Sequence, residues 1–223
     1  MSKMKMQRGS IFRPEQDYYK IAGIIMMIGC FQFILAVNLA ETMFPGFSIA
    51  KNTFSELGSS VPMIGPSAII FNLSIIILGI LFLIAVYLIL KSGGCRLFSS
   101  CLAISSIFAI GVGIFNQYPG SAHLLYALTF LFGSLAVIFS YRLGLNIPIV
   151  IISFIMGLIA LLTLILQFIL GDGSTNFLVT YLGVGGTQIL ILYPIIFYLT
   201  ALGGYLTSRG EDWVRIRFTN GYW

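Results

Sequence analysis

The chain is short of charge. Only 9% of its 223 residues are Asp, Glu, Lys or Arg, against roughly 25% in a typical soluble domain, and 58% are hydrophobic. So few charges cannot coat so much apolar surface. An ordinary water-soluble fold is excluded, and lipid is the solvent for much of the chain. Cysteine is scarce as well. Cys30, Cys95 and Cys101 are odd in number and form no CxxC pair, which argues against a disulfide framework or a thiolate metal cluster and for small packing residues. There is one histidine, His123, whereas a usual zinc site takes three or four N, S or O ligands. No GxSxG, HExxH or paired metal motif occurs, and no cofactor is expected. The stretch GVGGTQ, Gly183–Gln188, lacks the Lys-Ser/Thr ending and the preceding strand of a phosphate loop. It reads as close packing or as a local break in a helix.

What is present is six apolar runs: Ile21–Ala40, Ser67–Leu90, Leu97–Asn116, Ala122–Tyr141, Ile147–Leu170 and Gly183–Leu206. Each approaches or exceeds the ~20 residues a helix needs to cross ~30 Å of hydrocarbon. None alternates with period two, which disfavours a barrel. A helix satisfies its own backbone in lipid, so the expected fold is all-α: a bundle of six transmembrane helices. The third run is rich in Ser, Ala and Gly and is expected near the centre, because small residues let backbones approach. The fifth, rich in Ile and Leu, is expected at the periphery. The first run follows a basic leader but is longer than the ~7–15 apolar residues of a signal peptide, so it is read as a retained span.

Lys and Arg orient the bundle. Lys3, Lys5, Arg8, Arg13, Lys20, Lys91, Arg96, Arg142, Arg209, Arg215 and Arg217 fall on one side, and only Lys51 on the other. The positive-inside rule then puts both termini in the cytoplasm. The expected organisation is a cytoplasmic segment over 1–20, a transmembrane domain over 21–206 with an outward loop over 41–66, and a cytoplasmic tail over 207–223. The basic excess serves orientation and contact with membrane lipids rather than nucleic acid.

The polar residues gather toward the outward side: Glu41, Asn52, Ser55, Glu56, Asn72, Asn116, His123, Asp172 and Asn176. Ionisable groups near membrane depth are expensive and usually face a bundle interior or a wet cavity. This predicts an outward pocket with Asn52, Ser55, Glu56, Asn72, Asn116 and His123 as ligand-binding candidates. Its occupant would be a lipid headgroup or small polar molecule. The loop would act as a lid held by Pro45, Pro62 and Pro66. Ser55-Glu56 before Leu57-Gly58 fits a short helical turn closed by Gly58. Asn72 lies in an NLS triplet inside a span, so interhelical hydrogen bonding is expected there rather than glycosylation. The same default holds for Gln188. Two other classes stand beside binding. One is a membrane enzyme, a lipid hydrolase or transferase with Glu56 and His123 as acid/base candidates. The other is a transporter or an accessory subunit of a larger complex or oligomer. Transport is weakened by the one-sided distribution of polar groups.

Four segments carry a resemblance: FPGFSIAKNTFSELG at Phe44–Gly58, IIFNLSIIILG at Ile69–Gly79, VGIFNQYPGSAH at Val112–His123 and GVGGTQILILYPIIFYL at Gly183–Leu199. In this order they resemble the prokaryotic membrane-protein family termed domain of unknown function nine hundred and ninety-eight. The loop of that family commonly reads Ser-Asp-Leu-Gly, and Ser55-Glu56-Leu57-Gly58 keeps the carboxylate. Where the family often has Glu-Arg, this chain has Thr187-Gln188. The resemblance implies a six-helix bundle in a prokaryotic cell membrane and implies no activity.

Overall fold

The computed structural model describes residues 14–59, 65–116, 119–171, 173 and 175–219. The described chain is all-α. Its helices are α1 (Pro14–Met43), α2 (Phe54–Leu57), α3 (Pro66–Lys91), α4 (Arg96–Phe115), α5 (Pro119–Phe139), α6 (Ile147–Leu170) and α7 (Phe177–Thr219), with a 3₁₀ turn at Ser140–Leu143. Six of them, all but α2, are long and apolar enough to cross a membrane. Their starts follow local chemistry. Pro66 and Pro148 stand in the first turns of α3 and α6, where a missing N–H costs nothing. Gly144, at φ 68°, closes the 3₁₀ turn in the left-handed conformation.

Two helices extend well beyond the apolar runs, α1 and α7. α1 starts at Pro14, because a helix does not stop where its apolar part stops. α7 starts at Phe177 and contains a break at Gly183, where φ is 76° and ψ is 171°. The break expected from GVGGTQ is present, at Gly183 inside α7.

The six long helices form a closed ring in the order α1, α3, α4, α5, α6, α7, with α7 returning to α1. Each helix also packs on its neighbour in sequence, as short connections dictate. Small residues set the closest approaches. A Cβ on Gly203 would lie 2.8 Å from the Gly23 carbonyl oxygen, which brings α7 onto α1. A Cβ on Gly79 would lie 2.7 Å from the Ser106 carbonyl oxygen, which brings α3 onto α4. The most apolar stretch of α4 is 50% buried and that of α6 only 22%. The peripheral place expected for the fifth run is the one α6 takes, whereas α4 is not central: it is a member of the ring, packed on α3 and α5 and buried to the same extent as α7.

The outer faces of the ring are as greasy as its interior. Leu35, Phe168 and Ile147 point outward, a pattern suited to lipid contact. At the end of the bundle holding the 92–95 and 140–146 connections, Lys91 Nζ lies 4.7 Å from the centre of the Tyr18 ring. Arg142 lies over Tyr141 at 5.7 Å. Cations resting on aromatic rings suit a membrane–water boundary. The opposite end, called the loop face below, carries residues 44–59.

Candidate functional site: a clamped loop over a cavity

The loop face is organised around α2, a helix of four residues. So short a helix cannot satisfy its own ends, since the first N–H and last C=O groups have no partner within it. Its sequence solves part of this locally. Glu56 Oε1 accepts from the Thr53 backbone N–H at 3.2 Å and from Thr53 Oγ1 at 3.1 Å, half of a capping box. Glu56 Oε2 accepts from Asn52 Nδ2 at 2.6 Å. Asn52 Oδ1 in turn accepts from the Ser48 N–H at 3.0 Å. Gly58 ends the helix with φ −92°, without the left-handed conformation that often marks such an end.

The bundle supplies the rest. Gln188 Oε1 on α7 accepts the Phe54 N–H at 2.8 Å. At the other end of α2, three polar side chains, two from the first turns of α3 and one from the residue that caps α4, take the free carbonyls. Asn116 Nδ2 donates to Ser55 O at 3.1 Å, Ser67 Oγ to Leu57 O at 3.0 Å, and Asn72 Nδ2 to Gly58 O at 2.9 Å. Asn116 Nδ2 also donates to Asn72 Oδ1 at 3.1 Å, so the two amides brace each other across the α3–α4 seam. The fit is tight. A Cβ on Gly58 would run into the Asn116 and Asn72 amides and lie 2.8 Å from the Phe71 ring. Gly185 N–H donates to Ile49 O at 3.1 Å, and a Cβ on Gly185 would lie 2.6 Å from that same oxygen. The glycines of GVGGTQ thus give the loop a backbone surface to lie on.

Phe54 and Leu57 point down from α2 and are buried. Phe54 stacks on Tyr193 of α7, with ring centres 6.3 Å apart. Beneath Phe54 runs a cavity of about 50 Å³ whose wall is contributed by α1, α2, α3, α4, α5 and α7. The wall is apolar apart from Ser105, Ser106, Tyr126 and Thr129.

The candidate residues separate into groups. Asn52, Ser55, Glu56, Asn72 and Asn116 are brought together, through the hydrogen bonds just given, and all five hold the loop in shape or in place. His123 stands near the start of α5, exposed, and makes no hydrogen bond to Glu56 or to any other described residue. Glu41 lies near the Tyr193 phenol at the end of α1. Asn176 caps α7 by accepting the Leu178 N–H at 3.0 Å. Asp172 and Pro62 lie outside the described residues. Of the three proline stays, Pro66 starts α3 and Pro45 is exposed in the turn after α1. Among the described residues no group of three His, Cys, Asp or Glu is placed to hold a metal ion.

Sequence reading missed Ser67 and Tyr126 and named no partner for Gln188. Gln188 makes the interhelical bond expected of it, but to Phe54, the first residue of the short α2, rather than to another long helix, and no local pattern reports a contact across 134 residues. Tyr126 carried a signal, a hydroxyl one turn past His123 on an apolar helix, but not one that distinguishes inward from outward.

No curated protein and no solved structure matches the chain. The family model described as "Protein of unknown function (DUF998)" matches residues 27–205, which takes in the loop, the cavity wall and all or most of each of the six long apolar helices. The chain belongs to this family, as a multi-pass membrane protein whose family has no assigned activity.

Proposed function

We propose that the protein binds a ligand at the loop face, a lipid headgroup or small polar molecule at the rim with room below for an apolar part, and that residues 44–59 are its cover. The positive-inside count of the sequence supports placing this face outside, with both termini in the cytoplasm of a prokaryotic cell. The observation that carries the reading is the clamping of α2 at both ends, by Gln188 and by Asn116, Ser67 and Asn72, directly above a cavity. A loop that only connected α1 to α3 would need neither the clamp nor the space beneath it. Surface loops that fold compactly and pack on a site are commonly functional.

Binding is favoured over turnover. Glu56 accepts three hydrogen bonds from its own loop, and His123 makes none with it. An acid/base pair needs its members within reach of one proton. Binding is also favoured over transport, since the polar groups sit at one end and the cavity wall toward the bundle centre is apolar.

Native mass spectrometry of the protein released from its membrane tests the reading. Wild type is expected to carry a stoichiometric bound molecule. Glu56→Ala and His123→Ala are expected to insert normally and lose it, the first by loosening the loop and the second by removing a polar group at the rim. Bare protein in the wild type, or full retention in both variants, removes the proposal.

A further inference from the structure

We infer that the Glu41 carboxylate and the Tyr193 side chain at the loop face form a recognition site for an ammonium group, carried by a lipid headgroup or by a free small amine. This rests on the binding reading above and names the charged part of the ligand. The first observation is a charge without a counter-charge. Two carboxylates stand at the described loop face, Glu41 and Glu56. Glu56 is satisfied by the donors of its own loop. Glu41 is partly buried in the last turn of α1, and among the described residues its carboxylate has no hydrogen-bond or ion-pair partner. The chain has little to offer it. Lys20, Lys91, Arg96 and Arg142 stand at the opposite end of the bundle. Lys51 is exposed and in no ion pair with a described residue. His123 is on α5, which is not a neighbour of α1 in the ring. An ionisable group at the edge of a membrane span without a partner is costly and marks a candidate site.

Three further features favour a cation there. The first is the helix itself. The C-terminal end of a helix carries negative potential, and the last turn of the 30-residue α1 holds no basic residue, whereas α3 ends on Lys91. The Glu41 charge adds to that potential instead of offsetting it, so a phosphate is repelled and an ammonium drawn in. The second is the Tyr193 phenol beside Glu41. It has no hydrogen-bond partner among the described residues, which leaves its oxygen able to accept from an N–H. The third is aromatic surface. The Tyr193 ring lies between those of Phe54 and Phe197, with centres 6.3 and 5.3 Å away. Phe44, whose N–H donates to Glu41 O at 3.3 Å, meets Phe47 edge-on. Aromatic rings attract cations, quaternary ammonium groups included. Glu41 and Tyr193 are both partly exposed, so a headgroup reaches them without the bundle opening. Phe54 belongs to the loop and stacks on Tyr193, which links the seating of the loop to the filling of the site.

Thermal unfolding in phosphatidylglycerol nanodiscs tests this. One probe is ethanolamine hydrochloride, against sodium chloride at equal ionic strength. The other is phosphatidylethanolamine blended into the disc, against the unblended disc. At least one probe is expected to raise the unfolding temperature of wild type by several degrees beyond its control. Glu41→Gln is expected to abolish that rise, and Tyr193→Phe, which keeps the ring and loses the phenol, to reduce it. The quantity compared is the shift each protein shows, so a variant that is merely less stable does not imitate the result. A rise with phosphatidylethanolamine assigns the ammonium to a lipid, and a rise with ethanolamine alone assigns it to a free amine. Sodium chloride acting as strongly as ethanolamine with no rise from the lipid, no rise with either probe, or an equal rise in Glu41→Gln overturns the inference. So does a bound molecule without an amine, found by native mass spectrometry and retained in Glu41→Gln, an outcome that leaves the binding reading standing. A wild type with nothing bound removes that reading and this inference with it.

Discussion

The two ends of the bundle are built by different rules. At the end with the 92–95 and 140–146 connections, each turn closes on itself. Gly94 N–H reaches Ile89 O, Ser92 Oγ reaches Leu88 O, and Gly144 N–H reaches Tyr141 O. Gly93 and Gly144 supply the positive φ those turns need. The cations there rest on nearby tyrosine rings. At the loop face, shape comes from far away in the chain. Gln188 is 134 residues from Phe54, Asn116 is 61 from Ser55, and Asn72 is 14 from Gly58. A locally closed turn keeps its form whatever the helices do. A clamped loop keeps its form only while three helices hold their amides at the right places. It follows that the loop face is the end that can open: the loop keeps local bonds of its own, such as Asn52 N–H to Ser48 O and Gly58 N–H to Ser55 O, but it is seated on the bundle by a handful of long-range hydrogen bonds.

The sharpest way to break this contrast is Gly58→Ala. The new methyl collides with both clamping amides and with Phe71, so overpacking adds to lost hydrogen bonds. A loss of about 3 kcal/mol is expected, measured by thermal unfolding in nanodiscs, together with fast amide exchange through residues 48–58. Asn116→Ala comes next. It strands Ser55 O and Asn72 Oδ1 at a cost of about 2 kcal/mol, and amide exchange is expected to rise in α2 and stay unchanged in α6. Gln188→Leu is smaller by one heavy atom and leaves the Phe54 N–H without its acceptor. The expected cost is about 1 kcal/mol, with exchange at Phe54 rising first. At the other end, Arg142→Gln should leave loop exchange and unfolding temperature as they are. A loosened loop in that variant would show that the two ends are coupled and would blur the distinction drawn here.

Much of this architecture is written locally in the sequence, and some of it is not. Apolar runs of spanning length reveal six helices because lipid permits little else. Ser-Glu-Leu-Gly reveals a short helix and its end. Small residues mark α4 as a closely packed helix, and paired glycines mark the break at Gly183. What hydropathy cannot reveal is which side of a helix faces inward when both sides are apolar. Phe33 is 2% exposed and Leu35 70%, two residues apart and alike in hydrophobicity. That is why Tyr126 was not singled out and why His123, exposed at the start of α5, was grouped with residues it does not bond. The sequence marks Gln188 as a polar residue in a span with interhelical bonding as its default, but its partner on a distant loop is a product of the closed ring and not of any neighbouring residue.

The clamp itself can be measured at one atom. The Phe54 amide is bonded to Gln188 and to nothing in its own short helix, so hydrogen exchange at that N–H reports whether the loop is seated. The account predicts that it is strongly protected in wild type in a lipid bilayer and loses protection in both Gln188→Leu and Asn116→Ala, although Asn116 touches a different residue. An amide that exchanges freely in the wild type, or one whose protection ignores Asn116→Ala, would contradict a loop held as a single clamped unit.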